Sequence, residues 1–326
     1  MSPDLTPVPV AVAAIRNARG EYLIARRPDH VHQGGLWEFP GGKFEPGEEL
    51  EHALYRELRE ELDIRVQSFQ PLININHDYG DKRVCLRVSV VDAFAGEPRG
   101  CEGQSLRWVS APALSNYDFP AANHAIVAAL QLPDCCLITP DPSNDEPGFL
   151  RRLEDRLERG GIHLMQLRAP SLSPDRLARL AERVMPLARS LDVRVMLNAD
   201  PDMARAVAAD GVHLNSQRLT RWRADARRDG LMVSASVHDR REMDLANDAG
   251  VDFAVVSPVL PTVSHPGARV LEWEGFAALA EAATMPVYAL GGVGPGDVER
   301  ARTCGGQGVA GIRAFWEREV KGSVTG

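Results

Sequence analysis

Residues 42–64 read GKFEPGEELEHALYRELREELDI, and this segment carries the densest structural and chemical signal in the chain. An apolar ridge repeats at i, i+4 and predicts an amphipathic helix over Glu48–Leu62, the ridge being Leu50, Leu54, Leu58 and Leu62. Gly41-Gly42 and Pro46-Gly47 predict a tight loop in front of this helix. The segment is therefore expected to be a loop followed by a helix with one buried face.

The opposite face of this helix is acidic. Glu57, Glu60 and Glu61 stand at i, i+3 and i+4, so their carboxylates share one face. Like charges at this spacing repel, and the C-terminal end of a helix is already negative. One interpretation is a solvated acidic face eased by Arg56 and Arg59. The other is a site for Mg²⁺ or Mn²⁺, hard cations that bind converging carboxylates and bridge polyphosphates, and the neighbouring glycine loop favours it.

The rest of the first 130 residues predicts a mixed α+β domain. Val8–Ile15 and Tyr22–Ala25 are apolar runs around a turn, which predicts a β-hairpin. Strand-like runs follow near 70–76, 83–95 and 106–109, and Ala121–Leu130 predicts a closing helix.

After residues 131–134 the pattern changes to short apolar strands that alternate with helical segments. Such alternation indicates βαβ units and a parallel sheet. Eight strands in about 180 residues fit a small (β/α)8 TIM barrel, and an open doubly wound sheet is the alternative. The predicted strands are Cys135–Thr139, His163–Leu167, Arg194–Leu197, Gly211–Leu214, Met232–Val237, Phe253–Val259, Val287–Leu290 and Gly308–Ile312. Domains are expected at 1–132 and 135–318.

Length and composition agree with a two-domain globular protein. The chain has 326 residues, 44% of them hydrophobic and 25% charged. A net charge of −8 disfavours a protein that coats nucleic acid, and no apolar run is long enough to predict a membrane span. Five cysteines without a CxxC pair, and an N-terminus unlike a signal peptide, predict a cytoplasmic protein. The oligomeric state is left open.

The spacing in the acidic segment is that of a known family. Gly42, Glu48, Arg56-Glu57-Leu58 and Glu60-Glu61 stand at the positions of the Nudix box, so the segment resembles the Nudix hydrolases. Asp63 stands where that family usually has glycine, so the turn after the helix can differ from that of the family. Aspartate tolerates the left-handed conformation better than most residues and the metal ligands are unchanged, so we expect activity to survive.

Over about residues 8–130 the chain resembles the MutT type of Nudix hydrolase, which hydrolyses 8-oxo-dGTP. The matching segments are Leu36–Lys43, Gly96–Pro98, Cys101–Gln104 and Asp118–Asn123. The resemblance implies Mg²⁺, or Mn²⁺, as the cofactor. It also implies that Glu102 orients or deprotonates the attacking water and that Lys43 stabilises phosphate charge. The implied metal ligands are the Gly42 carbonyl, Glu57, Glu60, Glu61 and Glu102.

The same resemblance implies a nucleotide pocket. Asn123 would read the oxidised purine through its amide, and Phe39 would line the base pocket. Arg27 and His32 would meet phosphate or sugar. Lys82 stands where the family supplies a basic residue, without the bidentate geometry of arginine. Simpler interpretations remain open: Asn123 as a helix cap, Phe39 as a core residue and His32 as an exposed loop residue.

Residues 135–318 resemble the thiamine phosphate synthase and TenI family. The matching segments are Leu137–Pro140, Gln166–Arg168, Gly211–Leu214, Ser236–His238 and Gly291–Val293. The ligand site is expected at the C-terminal strand ends, with Gln166, Arg168, Asn198 and Ser236 as polar groups and with Gly292 and Arg313 near phosphate.

This second domain departs from the synthase type at its charged positions. Ala199 and Arg218 stand where the resemblance implies acidic Mg²⁺ ligands. Two lysines of the family are also missing, with Pro170 near one position and His265 at the other. Without the acids a pyrophosphate–Mg²⁺ complex would be poorly held, so we expect a degenerate or regulatory phosphate-binding module. A divergent thiazole or thiamine-phosphate enzyme is the alternative.

Together these observations predict a Mg²⁺-dependent hydrolase that converts 8-oxo-dGTP to 8-oxo-dGMP and pyrophosphate, and so cleans the nucleotide pool. The expected partner is a small nucleotide, with no stable nucleic-acid or membrane partner. One alternative is a Nudix hydrolase of another pyrophosphate, such as a thiamine-related one, with the barrel binding or processing the precursor. Another is a binding protein in which neither site turns over.

Overall fold

The chain divides into two units, Met1–Gln131 and Leu132–Gly326. A computed structural model describes residues 6–29, 33–80, 82–143, 145–222, 230–262, 267 and 269–316. Within these ranges no helix is long and apolar enough to cross a membrane.

The N-terminal unit contains two small sheets and two α-helices. One sheet has the strand order β4-β1-β6-β5 and the other has the order β3-β2-β7. The strands are β1 Val8–Ile15, β2 Glu21–Arg26, β3 Trp37–Glu38, β4 Gly41–Lys43, β5 Arg65–Asp78, β6 Arg83–Ala95 and β7 Leu106–Ser110. The helices are α1 Leu50–Leu62 and α2 Ala121–Gln131, with a 3-10 helix at Ala111–Asn116.

The predicted hairpin between the first two strands is wrong. Strand β1 pairs in parallel with β6 along its whole length, from Val8 opposite Val84 to Ile15 opposite Val91, and pairs antiparallel with β4. Both edges of β1 are therefore occupied. Strand β2 joins the other sheet, and an isolated bridge at Arg16–Tyr22 marks where the two strands separate.

Strand β1 separates two apolar clusters, because successive side chains of a strand point to opposite faces. Ala11, Ala13 and Ile15 pack with the leucines of α1, whereas Val12 and Ala14 pack with the apolar face of α2. The predicted leucine ridge is correct, since Leu54, Leu58 and Leu62 are fully buried.

Helix α1 ends at a left-handed turn. Asp63 has φ 53° and ψ 31°, the left-handed conformation, and its backbone N–H donates to the carbonyls of Arg59 and Leu58. The Asp63 carboxylate also pairs with Arg99 and Arg59. Aspartate thus replaces the glycine of the motif without loss of the turn.

The C-terminal unit is a closed barrel of eight parallel strands, which confirms the predicted (β/α)8 fold and excludes the open sheet. The barrel closes where β15 pairs with β8. The strands are β8 Cys135–Ile138, β9 Leu164–Leu167, β10 Arg194–Leu197, β11 Gly211–Leu214, β12 Met232–Val237, β13 Phe253–Val256, β14 Val287–Leu290 and β15 Gly308–Gly311.

Eight helices accompany the barrel strands in the described residues, and β8 to β15 are buried along nearly their whole length, as expected for a parallel sheet covered on both faces. The helices are α3 Glu146–Glu158, α4 Pro174–Ser190, α5 Pro201–Ala206, α6 Ser216–Arg221, α7 Arg240–Ala249, α8 Glu272–Ala282, α9 Val298–Thr303 and α10 Arg313–Trp316, with a 3-10 helix at Pro295–Asp297.

One buried histidine links two neighbouring strands of the barrel through hydrogen bonds. The ring of His213 on β11 is 2% exposed, and its nitrogens lie 2.9 Å from Ser234 Oγ and 2.8 Å from Ser236 Oγ on β12. Burial, together with the positive charges of Arg218 and Arg168, lowers the pKa of His213 to about 3. The ring is therefore neutral in the folded barrel at neutral pH.

This histidine should make the barrel acid-sensitive. An unfolded histidine takes up a proton near pH 6.5, whereas folded His213 resists protonation down to about 3, so the unfolded state binds more protons between these values. The free energy of unfolding should be unaffected by this group above pH 6.5 and should fall by up to about 1.4 kcal/mol per pH unit below it. Calorimetric melting of the full chain from pH 7 to 4 would measure this slope.

His213→Gln should flatten that slope. The matched control is His163→Gln, because His163 is an exposed histidine of the same barrel. Equal acid slopes in the wild-type protein and in His213→Gln would contradict the assignment.

Candidate functional site

The acidic site is built on a close approach between β4 and α1. A Cβ atom placed on Gly42 would lie 2.1 Å from Glu57 Oε1, so a side chain at this position would displace the Glu57 carboxylate from where it lies. The Glu57 side chain is 14% exposed. Glycine at position 42 therefore allows the Glu57 carboxylate to lie directly against the strand.

Arg56 balances the acidic face of the helix. Its guanidinium lies 2.8 Å from carboxylate oxygens of Glu48 and Glu57, and 3.6 Å from Glu60. The hydrogen bond from Arg56 lowers the pKa of Glu48, and these acids raise the pKa of Arg56 further above its usual value. Arg56 also donates to the Lys43 carbonyl, so it ties the loop to the helix. The sequence-based expectation that Arg56 eases the repulsion agrees with these contacts.

Glu61 carries the most perturbed carboxyl of the site. Its Oε2 accepts a hydrogen bond from the Gly41 backbone N–H at 3.1 Å. Burial raises the pKa of Glu61 to about 8, and the nearby charges of Glu57, Glu38 and Glu102 add to the increase. A half-buried carboxyl among other carboxylates is held protonated near neutral pH unless a cation joins the site.

A loop from residue 100 to residue 104 brings the last predicted acid to this cluster. Cys101 N and Gln104 Nε2 donate to the Glu61 carbonyl at 2.9 and 3.0 Å. Gln104 Oε1 accepts from Glu102 N at 2.9 Å, which fixes the Glu102 backbone. Glu102 is exposed, and its charge contributes to the raised pKa of Glu61 and of Glu38.

The three acids of the predicted ligand set are not equally placed. Glu57 and Glu61 lie against Gly42 and Gly41, whereas the Glu60 side chain is 63% exposed. Within the described ranges no group of three or more His, Cys, Asp or Glu side chains stands in a metal-binding arrangement. Arg56 forms the close contact with Glu57 in this conformation.

The residues predicted to bind the base, Phe39 and Asn123, contact each other just before Gly41 and Gly42 in the chain. Asn123 Oδ1 accepts a hydrogen bond from the Phe39 backbone N–H at 3.4 Å, across 84 residues of chain. Phe39 is 4% exposed and stacks on Phe119 at 5.5 Å between ring centroids. Asn123 therefore contacts β3 and its extension and does not cap α2, which begins at Ala121.

Glu38 is a residue of this site that the sequence analysis missed. The guanidinium of Arg27 forms an ion pair with Glu38, so Arg27 is engaged by a carboxylate. Burial raises the pKa of Glu38, against the opposing effect of Arg27. The signal available in the sequence was an acid inside the apolar run LWEFP.

Of the two remaining predicted substrate residues, Lys82 lies within the described residues and His32 does not. Lys82 lies 5.5 Å from the ring centroid of Tyr79, a partly buried phenol whose pKa is raised mainly by burial, against the opposing effect of the Arg27 charge. His32 lies outside the described residues.

The barrel contains a cavity of about 690 Å³ at the C-terminal ends of its strands. Four of the predicted ligand residues line it: Gln166, Arg168, Asn198 and Ser236. Gly292 and Arg313 are not among the lining residues, although Leu290 and Ile312 beside them are. The sequence analysis missed Asp200, Asn215 and Ser257, which also line the cavity.

Comparisons with known proteins assign both units. Residues 135–315 match the thiamine monophosphate synthase family, and residues 11–129 match the NUDIX domain. The 8-oxo-dGTP diphosphatase of Escherichia coli (strain K12) is 40% identical over 122 residues, which are 37% of this chain and 95% of the relative. The chain belongs to both the Nudix and the thiamine monophosphate synthase families.

One further relative agrees with this assignment, and a solved structure also matches the first unit. The putative thiamine-phosphate synthase 2 of Aquifex aeolicus (strain VF5) is 33% identical over 191 residues, 58% of this chain and 100% of the relative. A solved MutT structure, from a study of the Aliivibrio salmonicida and Vibrio cholerae proteins, is 40% identical and covers 38% of this chain and 97% of its own, with a TM-score of 0.35. The resemblances to both families are confirmed.

Nudix hydrolases act on small nucleotides and use divalent metal ions. The donor chemistry of the Nudix unit suits such an ion: the carboxylates of Glu57 and Glu61 lie against the glycines of β4, and burial raises the pKa of Glu61.

The barrel does not offer an equivalent set of acids. Ala199 is buried and supplies no ligand. Asp200, the one carboxylate in the lining, has an 80% exposed side chain that lies 3.5 Å from Arg218 Nε. The other departure noted in the sequence, His265, lies outside the described residues. The residues described here do not fit the Mg²⁺ site of a synthase.

Proposed function

We propose that the Nudix unit, residues 1–132, is a Mg²⁺-dependent hydrolase that converts 8-oxo-dGTP and water to 8-oxo-dGMP and pyrophosphate. The observation that carries this proposal is the segment from Phe39 to Gly42. Its first residue contacts the Asn123 amide, and its last two contact Glu61 and Glu57. Three residues of chain span at most about 10 Å, a distance that a nucleotide bridges from its base to its phosphates.

The metal-binding groups in this proposal are the Gly42 carbonyl, Glu57, Glu60, Glu61 and Glu102. Divalent ions at such carboxylates lower the pKa of a water molecule and neutralise charge on the phosphates. Glu102 orients the attacking water and accepts its proton, since it stands beside Glu61 and Glu38 on a loop fixed by Gln104. Manganese is the other cation that this donor chemistry suits.

The remaining residues bind and orient the substrate. Phe39 and its stacked partner Phe119 form an apolar wall for the base, and the Asn123 amide reads the oxidised purine, because an amide both donates and accepts. Lys43 is exposed beside the acids and supplies positive charge to the phosphates. Arg27, His32 and Lys82 serve phosphate and sugar. A cytoplasmic location and the lack of nucleic-acid or membrane partners stay predictions.

Removal of the Glu57 charge tests the metal-carboxylate mechanism. Glu57→Gln keeps the size of the side chain against Gly42 but removes an anionic ligand, so kcat for 8-oxo-dGTP hydrolysis with Mg²⁺ should fall by at least about 100-fold. Glu51→Gln is the matched control, an exposed carboxylate on the same helix. Hydrolysis that persists unchanged in Glu57→Gln would exclude this mechanism.

The substrate preference should depend on Asn123. In Asn123→Ala the ratio of kcat/KM for 8-oxo-dGTP to that for dGTP should fall about tenfold or more, because the amide that reads the purine is lost. His124→Ala, a change at the exposed neighbour, should keep the ratio. Thiamine pyrophosphate is assayed beside the two nucleotides. An unchanged ratio in Asn123→Ala, together with faster hydrolysis of thiamine pyrophosphate than of 8-oxo-dGTP, would favour a thiamine-related substrate instead.

We further propose that the barrel, residues 135–318, binds a phosphate ligand without synthase turnover. Support comes from its cavity, which holds arginines and amides and has Ala199 and Arg218 at the positions of the expected acids. The full chain with Mg²⁺ should form no thiamine phosphate above background, under conditions in which a synthase relative serves as the positive control. Product formation that Arg218→Gln abolishes would overturn this role.

A further inference from the structure

The barrel cavity is positively charged. The described residues of its lining include two arginines, Arg168 and Arg218, and one carboxylate, that of Asp200. The Asp200 side chain is 80% exposed, whereas that of Arg218 is 24% exposed. Charge screening by water is therefore stronger at the acid than at the arginine, and the net field inside the cavity favours an anion.

Arg218 is held in one position by neighbouring strands. Its Nη1 donates to Asn198 Oδ1 and to the His213 carbonyl, both at 3.0 Å. Its backbone N–H donates to Asn215 Oδ1 at 2.9 Å, the cap of α6. Burial lowers the pKa of Arg218, although an arginine keeps its charge at neutral pH. The Nη2 group makes no hydrogen bond with any described residue, so it can donate to a ligand.

Arg168 provides a second guanidinium on a fixed backbone. Its N–H donates to Thr139 Oγ1 at 2.9 Å, and its carbonyl accepts from the same hydroxyl at 3.2 Å. Thr139 is fully buried, so this clamp fixes the end of β9. The Arg168 guanidinium forms no ion pair or hydrogen bond with the part of the chain that the structure describes.

The same contacts exclude a cation from this position. The oxygen of Asn198, a potential metal ligand after β10, already accepts from Arg218. Ala199 has no donor atom, and a guanidinium repels a divalent ion. The Arg218 guanidinium therefore lies at the position where a synthase would hold Mg²⁺.

We propose that this cavity binds the phosphate group of an organic ligand directly, without a metal ion, with the guanidiniums of Arg218 and Arg168 as the contacts. Guanidinium forks match the geometry of phosphate oxygens and form charge-assisted hydrogen bonds. The volume of about 690 Å³ leaves space for an organic group beside the phosphate. This inference rests on the proposed binding role of the barrel and specifies its ligand chemistry.

Titration calorimetry of the full chain with inorganic phosphate and with pyrophosphate tests the proposal. Both titrations are run in excess EDTA and in Mg²⁺. At least one anion should bind in EDTA, and Arg218→Gln should weaken that binding by about tenfold or more. Arg221→Gln, at an exposed arginine of the same short helix, is the matched control and should leave affinity unchanged. The difference between these two variants separates barrel binding from binding in the Nudix unit.

A second variant restores the acids. Ala199→Asp combined with Arg218→Asp should abolish binding in EDTA and make any remaining binding dependent on Mg²⁺. Wild-type binding that disappears in EDTA, or binding in EDTA that Arg218→Gln leaves unchanged, would overturn the proposal. If the calorimetry fails and the chain forms no thiamine phosphate, only the metal-free contact is contradicted. If the chain forms thiamine phosphate, the proposed binding role of the barrel is itself contradicted.

Discussion

The close approach of β1 and α1 to Gly41 and Gly42 is the constraint on which the acidic site of the Nudix unit depends. Gly42 pairs with Ala11 on β1, and its Cα faces the Glu57 carboxylate so closely that a Cβ would overlap it. Gly41 is similarly restricted, since a Cβ there would lie 2.1 Å from the Ala11 carbonyl oxygen. Glycine at positions 41 and 42 therefore allows the helix that buries its leucines on β1 to bring its acids against the neighbouring strand.

This arrangement has an electrostatic cost. The carboxyl of Glu61 is half-buried and stands near the charges of Glu57, Glu38 and Glu102, which is why its pKa rises to about 8. Arg56 offsets part of the repulsion through Glu48 and Glu57, but it does not reach the buried carboxyl in the contacts described. The site therefore combines local stabilisation by an arginine with a residual demand for positive charge, the electrostatic condition that a divalent cation meets.

The sequence predicts the local features of the molecule better than the distant ones. The i, i+4 leucines correctly predict α1, and the alternation of strands and helices predicts the barrel, since both patterns depend on near neighbours. The hairpin fails because β1 finds its partners 76 residues away in β6 and across a loop in β4. The different exposure of Glu60 and Glu61 cannot be read from helical spacing, because it depends on which strand the helix packs against.

The contacts of Arg218 could not be predicted from the sequence for the same reason, their dependence on distant residues. The sequence shows that Arg218 stands where an acid is expected, but its bond to Asn198 joins residues that follow different strands, β10 and β11. Under the two proposals, the units solve one problem, the recognition of phosphate, in opposite ways. Carboxylates bind a phosphate only through cations, so their affinity for it rises with the concentration of free divalent ions, whereas a fixed guanidinium binds it without them. A shortage of divalent ions should therefore weaken phosphate binding at the acidic site while leaving the basic one charged and competent.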